Sequence, residues 1–283
     1  MVESFNLVKL VGPIAEIVYN EGTSPKPYVA GEVKIKTADD NIIPVSFYQS
    51  ETTKAGKENK IYNSIMTVIS EFKTITKDGI ENADIISVGG ASLEENSYYD
   101  QSNQLVRGFR VSSPFYNRKA GAESENEFVV EGTVLNIVEE INEDVPTGRV
   151  FVDLLVVGYG DRGNVLRLTV EDERGASYIK TSISQMDEVK FAGEIIFSET
   201  RKEIKEETAF GSPIVRVINT LERKLLIRSA TAARQSTVSQ EEIETVLADR
   251  EGRLKAQKEK RDRKNSSTTS AKKEAPARGN FTL

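Results

Sequence analysis

The same succession of strand-like segments occurs twice along this chain, and that repetition restricts its fold more than any other feature. Glu131-Gly132-Thr133-Val134-Leu135-Asn136-Ile137 echoes Val11-Gly12-Pro13-Ile14-Ala15-Glu16-Ile17, with glycine, branched apolar residues and isoleucine in register. Val152, Leu154 and Val156 match Gly31, Val33 and Ile35, and Leu166, Leu168 and Val170 match Ile43, Val45 and Phe47. The polar turn Asp39-Asp40-Asn41 is replayed by Asp161-Arg162-Gly163-Asn164. Val189-Lys190-Phe191-Ala192-Gly193 then matches Ile86-Ser87-Val88-Gly89-Gly90, and Val215-Arg216-Val217 matches Phe109-Arg110-Val111. The offset between copies starts at 120, grows to 123 and falls to 103 and 106, which places the length differences in loops and around a helix. Duplicated domains tolerate insertions there.

Alternation of apolar and polar residues marks most of residues 1–230 as half-buried strands. Ile61, Ile65, Val68, Ile69 and Phe72 instead recur at helical spacing, and a shorter helical or turn segment around Ser177–Met186 takes that place in the second copy. Two strand-like segments, Ala83–Ala91 and Leu105–Pro114, complete the first copy. Each copy therefore reads β-β-β-α-β-β, the order of the oligonucleotide-binding (OB) fold, a small Greek-key barrel. The expected fold is mainly β: two tandem OB-fold barrels over residues 1–118 and 128–230, joined by a linker at 119–127. A pair of antiparallel sandwiches is the alternative. Gly12 and Gly132 occupy the same place in each first strand, as a bend or bulge closing a barrel requires.

After Ala230 a helix is expected over 231–264, capped by Ser239 with Glu242 completing a capping box. Its apolar stripe, Ile243, Val246 and Leu247, fades from Arg250, and residues from about 250 onward are expected to be mobile. Residues 265–283 read as a disordered basic tail with an apolar tip, Phe281 and Leu283, suited to capture by a replication or recombination protein.

Histidine and cysteine are absent. That excludes Ser-His and Cys-His nucleophile systems and zinc sites built on those residues, so no enzyme, cofactor or metal is expected. A carboxylate-dependent nuclease remains as a rival. The N-terminus has no basic region followed by an apolar stretch, and no apolar run approaches the roughly 20 residues of a membrane helix, so a cytoplasmic protein is expected. Residues 250–283 hold 11 Lys/Arg against 4 Asp/Glu, leaving a net −13 on the remainder. Such an acidic body argues against coating duplex DNA by bulk charge and leaves room for a local basic groove.

Binding by such a barrel uses the face of strands two and three, flanked by the first and last hairpin loops. Cations that track phosphates and rings on which bases stack are therefore sought there. In the first copy these are Lys26 and Tyr28 at the first loop, Lys34 and Lys36 on strand two, Tyr48 on strand three, and Tyr98, Tyr99 and Arg107 in the last loop. In the second copy they are Arg149, Arg162, Arg167, Arg201, Lys202 and Lys205. Because both copies retain such cations, both barrels are expected to engage one strand together.

Ile86-Ser87-Val88-Gly89-Gly90, Glu95-Asn96-Ser97-Tyr98-Tyr99-Asp100 and Gly108-Phe109-Arg110-Val111 are similar to the strand-four and strand-five pattern of bacterial single-strand binders. With the tandem arrangement, residues 5–228 resemble the single-stranded DNA-binding replication proteins encoded by phages of Gram-positive bacteria. The resemblance implies nonspecific binding and protection of single-stranded DNA during replication and recombination. Two departures stand out: tryptophan is absent, and the C-terminal region is basic where that family typically ends acidic. A protein-interaction scaffold or virion component without catalytic activity is the other reading.

Overall fold

A computed structural model describes residues 3–158, 160, 162–206 and 214–271, with side chains described for 3–158, 160, 162–199 and 220–263. Three strands open the chain, β1 (Asn6–Gly22), β2 (Tyr28–Ala38) and β3 (Asn41–Ser50). Helix α1 (Lys60–Glu71) follows, its Asn59 cap accepting the Ile61 N–H at 3.1 Å, with Ile65 and Val68 buried. A single turn, α2 (Ile75–Asp78), leads to β4 (Ile85–Gly89) and β5 (Ser92–Glu95). The segment expected as one strand at Leu105–Pro114 is broken. Leu105–Val106 (β7) hairpins with Tyr98–Tyr99 (β6), while Phe109–Ser112 (β8) joins the barrel, and β9 (Phe115–Arg118) follows. Gly108 at the break lies so close to strand β5's exit that a Cβ would sit 2.9 Å from the Asn96 carbonyl oxygen.

The second half repeats the order with β10 (Glu125–Asn142), β11 (Val145–Gly158), β12 (Arg162–Val170), α3 (Glu173–Ser182), β13 (Asp187–Glu206) and β14 (Ile214–Ala230). The short β15 (Arg234–Gln235) and the long α4 (Gln240–Ala271) end the described chain. Helix α3 begins four residues before the expected Ser177, because Asp172 caps it by accepting the Gly175 N–H at 2.7 Å. The Ser239 and Glu242 capping box of α4 forms as expected, with hydrogen bonds in both directions.

Each half closes as a five-stranded barrel of the OB type. A parallel pair links strands three and five, Val45 opposite Val111 and Leu168 opposite Leu225. An antiparallel pair links strands one and four, Gly12 opposite Ile86 and Gly132 opposite Val189. The last two pairs bear out the expected 103-residue offset of strand four. Two other alignments need correction. Val33 pairs with Ile17 as Val152 pairs with Ile137, so strand two is offset by 119 and Val152 takes the place of Val33, not of Gly31. Strand five is offset by 114, so Leu225, not Val217, takes the place of Val111.

The glycines work by close approach. A Cβ on Gly12 would stand 2.3 Å from the Lys36 carbonyl oxygen, and one on Gly132 would stand 2.2 Å from that of Leu155. The bulges lie just beyond them, between Ile14 and Glu16 and between Val134 and Asn136. The halves also share a ladder: β1 pairs with β10 from Asn6–Val130 to Val11–Glu125, giving one 13-stranded sheet. Two asparagines brace β5 and β13 from the side. Asn6 exchanges both amide hydrogen bonds with Leu93, and Asn126 does the same with Ile195. A single apolar core, including Leu10, Ile35, Phe128, Leu154 and Phe191, runs through both barrels. Burial of each such side chain contributes about 1.5–3 kcal/mol. Among the described residues, no helix is long and apolar enough to cross a membrane.

Candidate nucleic-acid interface

The outer faces of strands two and three differ sharply in charge between the barrels. On the first barrel, Lys34 is tied to Glu16 at 2.7 Å and Lys36 to Asp39 at 2.9 Å. The hollow over that face, about 740 Å³, is lined by Glu16, Glu32, Asp39, Asp40 and Glu199, against Lys34 and Arg223. Phosphates would meet net negative charge there. At the far end of the face Tyr28 stacks on Tyr48, ring centroids 5.2 Å apart, and Tyr48 is 58% exposed. Lys26, exposed beside them, donates to the Thr53 carbonyl at 3.3 Å.

The second barrel presents the opposite. Alternation along β11 and β12 sends Arg149, Phe151, Asp153, Arg167 and Thr169 outward while Val150, Val152, Leu166 and Leu168 fill the core. Asp153 is buried, and Arg167 grips both its oxygens at 2.8 and 2.9 Å, with Arg107 at 3.5 Å. This carboxylate fixes two guanidinium groups without a flexible tether. The Arg167 guanidinium also lies 5.3 Å from the Phe151 ring centroid. Arg149 bridges Glu140 at 3.3 Å and Glu171 at 2.7 Å, and Lys224 reaches Glu171 at 2.8 Å.

These side chains wall a groove of about 490 Å³ between the strand face, residues 221–224 of β14, and the β6–β7 hairpin of the first barrel. Five cations line it, Arg107, Arg149, Arg167, Arg223 and Lys224, against one lining carboxylate, Glu222. Among the described residues all but Arg223 are also ion-paired, to Asp153, Glu140, Glu171 or Glu222. Tyr98, Phe109 and Phe151 supply ring faces. Burial pulls Lys224 toward neutrality, but its hydrogen bonds to Glu171 and Glu222 prevail and hold it above the usual lysine range. Burial likewise lowers Arg107, opposed by Asp153. The groove can hold a polyanion against flat apolar rings.

Of the residues expected from sequence, Tyr98, Arg107, Arg149 and Arg167 meet in this groove. Lys26, Tyr28 and Tyr48 form the separate aromatic patch described above, and Lys34 and Lys36 lie on the acidic face. Arg162 is exposed at the start of β12, outside the groove. Arg201, Lys202 and Lys205 lie on β13 opposite Asn219, Ile218 and Val215, with side chains outside the described set. Sequence reasoning missed Phe109, Phe151, Arg223 and Lys224. Phe151 was legible as the outward neighbour of Val150 and Val152; Arg223 and Lys224 depended on the register of strand five.

Helix α4 covers the rest of the second barrel's face. Ile243 and Val246 pack on Leu155, Val157 and Val165. Beyond them the helix stays docked, through the buried Leu254 and a set of polar contacts. Arg250 forms a two-pronged ion pair with Glu95, Tyr99 donates to the Glu251 carboxylate at 2.8 and 2.9 Å, and Arg253 donates to the Gly163 carbonyl at 2.8 Å. Arg261 donates to the Tyr99 carbonyl and sits over the Tyr98 ring, 5.4 Å from its centroid. Residues 250–263, expected to be mobile, instead form a docked stretch of α4, since charge pairs and the buried Leu254 carry the contact past Leu247. The helix continues to Ala271, past the expected boundary at 264. Phe281 and Leu283 lie outside the described residues.

Glu95 is the hub of that docking. Burial alone would raise its carboxyl, but hydrogen bonds from Arg250, Ser97 and the Val165 N–H hold it below the ordinary range. A depressed folded value means the contribution is present above the ordinary glutamate value, about 4.3, and is lost as pH falls through the folded one. Protease protection of α4 is therefore expected to persist at pH 5 and to fail only below about pH 4. A Glu95→Gln variant should lack this acid transition; an identical transition in that variant would assign it to other carboxylates.

A family model described as YorF matches residues 4–262. The chain belongs to the YorF family. No curated protein matches this YorF-family sequence. Among solved structures, it is similar to the wild-type single-stranded DNA binding protein from Thermus aquaticus, with a TM-score of 0.51 at 12% identity, covering 84% of this chain and 97% of that one. A deletion mutant of the same Thermus protein matches with a TM-score of 0.48 at 11% identity, covering 85% and 100%. The first likeness agrees with the OB-type closure of both barrels.

Proposed function

We propose that this YorF-family protein binds single-stranded DNA, without catalysis and with little sequence preference, through the groove on its second barrel. The observation that carries the reading is the groove itself, in which five cations surround three ring faces. Stacking and phosphate contacts are sequence-tolerant, because every base has a π-face and every phosphate one charge. The likeness to a single-stranded DNA binding protein supports the same reading at the level of fold. Coating of single strands exposed during phage or plasmid replication and recombination is the setting that fits such binding. The Phe281-Thr282-Leu283 tip suits capture by a replication protein.

Titration of an oligo(dT) probe tests the proposal. Phe151→Ala is expected to weaken binding about 5- to 150-fold, the loss of one stack worth about 1–3 kcal/mol. Arg223→Ala is expected to lower the log-log salt slope by about 0.7, one phosphate contact. Parent-like binding by both variants would remove the groove from the site. Binding of no oligonucleotide by the parent protein would favour a scaffold.

A further inference from the structure

A second, smaller pocket of about 120 Å³ lies beside the groove, where both barrels and α4 meet. Arginines from all three converge on it: Arg110 from β8, Arg162 from β12, and Arg250 and Arg253 from α4. Their employment differs. Arg250 is consumed by Glu95 and forms part of the wall. Arg110 spends Nε and Nη2 on Glu94, at 3.0 and 2.6 Å, and Arg253 is tied to Asp249 and the Gly163 carbonyl. Arg162 has no ion-pair partner among the described residues and stands exposed at the rim. Counting Glu94, Glu95 and Asp249 against the four arginines leaves Arg162 as the one without an ion pair among the described residues, with Glu3 in the adjoining hollow that Arg162 also lines.

Asn164 adds a polar donor. Its side-chain oxygen accepts the Glu95 N–H at 3.3 Å, so its amide NH2 is left for another acceptor. Asn96 lines this pocket and the groove alike, so the two are contiguous along the surface. One surplus cation, a free guanidinium fork and an amide donor match a single phosphodiester, which carries one negative charge and several acceptor oxygens. We propose that this pocket seats one backbone phosphate of a strand leaving the groove, with Arg162 as its principal ligand. The proposal rests on the groove reading and extends it to a path that crosses onto the junction with α4.

Length-dependent binding separates the two sites. Oligo(dT) of about 6 nucleotides fills the groove, and about 14 reaches beyond it, within the site sizes of such barrels. Arg162→Ala is expected to match the parent on the short probe and to lose about 0.7 of salt slope on the long one. Arg162→Lys should recover most of that loss, since charge is kept. The side chain is exposed and has no ion pair among the described residues, so an unchanged melting temperature confirms that folding is intact. Parent-like affinity and salt slope for both lengths in Arg162→Ala, or equal weakening on both, overturns the pocket while Arg223→Ala still reports on the groove. If the short probe ignores Arg223→Ala as well, the groove reading fails and the path falls with it. If inorganic phosphate raises the parent's melting temperature through Arg162 while the long probe is insensitive, the pocket is a free-anion site and the strand path is wrong.

Discussion

Arg250→Ala is expected to release α4 from the body of the protein at a cost of about 3–5 kcal/mol, because it strands Glu95 as a buried, unpaired charge. The side chains of the pair are only 10% and 7% exposed. Release would bare Leu155, Val157 and Val165, an apolar strip that Ile243 and Val246 now cover. Proteolysis should then cut within α4 far faster than in the parent, and the protein should self-associate on heating. Glu95→Ala should behave alike. Joining Glu95→Leu with Arg250→Met should recover much of the loss, since no buried charge then lacks a partner. Parent-like protease resistance in Arg250→Ala would mean that the apolar contacts alone hold the helix.

One substitution, glycine to alanine, should act in opposite directions at two places. Gly132→Ala puts a methyl 2.2 Å from the Leu155 carbonyl oxygen, and backbone cannot yield as a side-chain tip can. The first two strands of the second barrel must separate locally, costing about 1–3 kcal/mol or more. Gly12→Ala should cost a similar amount against Lys36. Gly252 lies within α4 with nothing inside 4 Å of its would-be Cβ. Gly252→Ala should therefore stabilise the helix by about 0.8–1 kcal/mol through propensity alone. Urea midpoints of the three variants give the check; a neutral Gly132→Ala would show that the strand crossing is looser than its geometry.

The barrels were legible in sequence because most strands have one face in the core and one in solvent, so period two appears directly. Legibility failed where both faces are covered. Leu154, Leu155, Val156 and Val157 are all buried, the outer pair beneath α4 and its surroundings, so no alternation marks the register and strand two was misplaced by two residues. Leu225, Leu226 and Ile227 are similarly buried throughout, and the more regular Val215-Arg216-Val217 drew the alignment to itself. That slip hid Arg223 and Lys224 from the candidate site. Tyr98, Arg107, Arg149 and Arg167 were found because loop and strand position sufficed for them. The acidity of the first barrel's face was invisible for another reason: Glu16, Asp39 and Glu199 come from separate strands or turns and meet only in space. The docking of α4 beyond Arg250 rests on pairs between residues about 155 apart in the chain, which no local pattern encodes.

The ladder between β1 and β10 has a thermodynamic meaning beyond joining two barrels. Domains strung on a flexible tether lose orientational freedom whenever a ligand bridges them, and that loss subtracts from affinity. Here six consecutive residue pairs, Asn6–Val130 through Val11–Glu125, lock the relative orientation during folding. A chain of nucleotides laid across both halves would meet surfaces already held at one spacing, and its own ordering would be the main entropy left to lose.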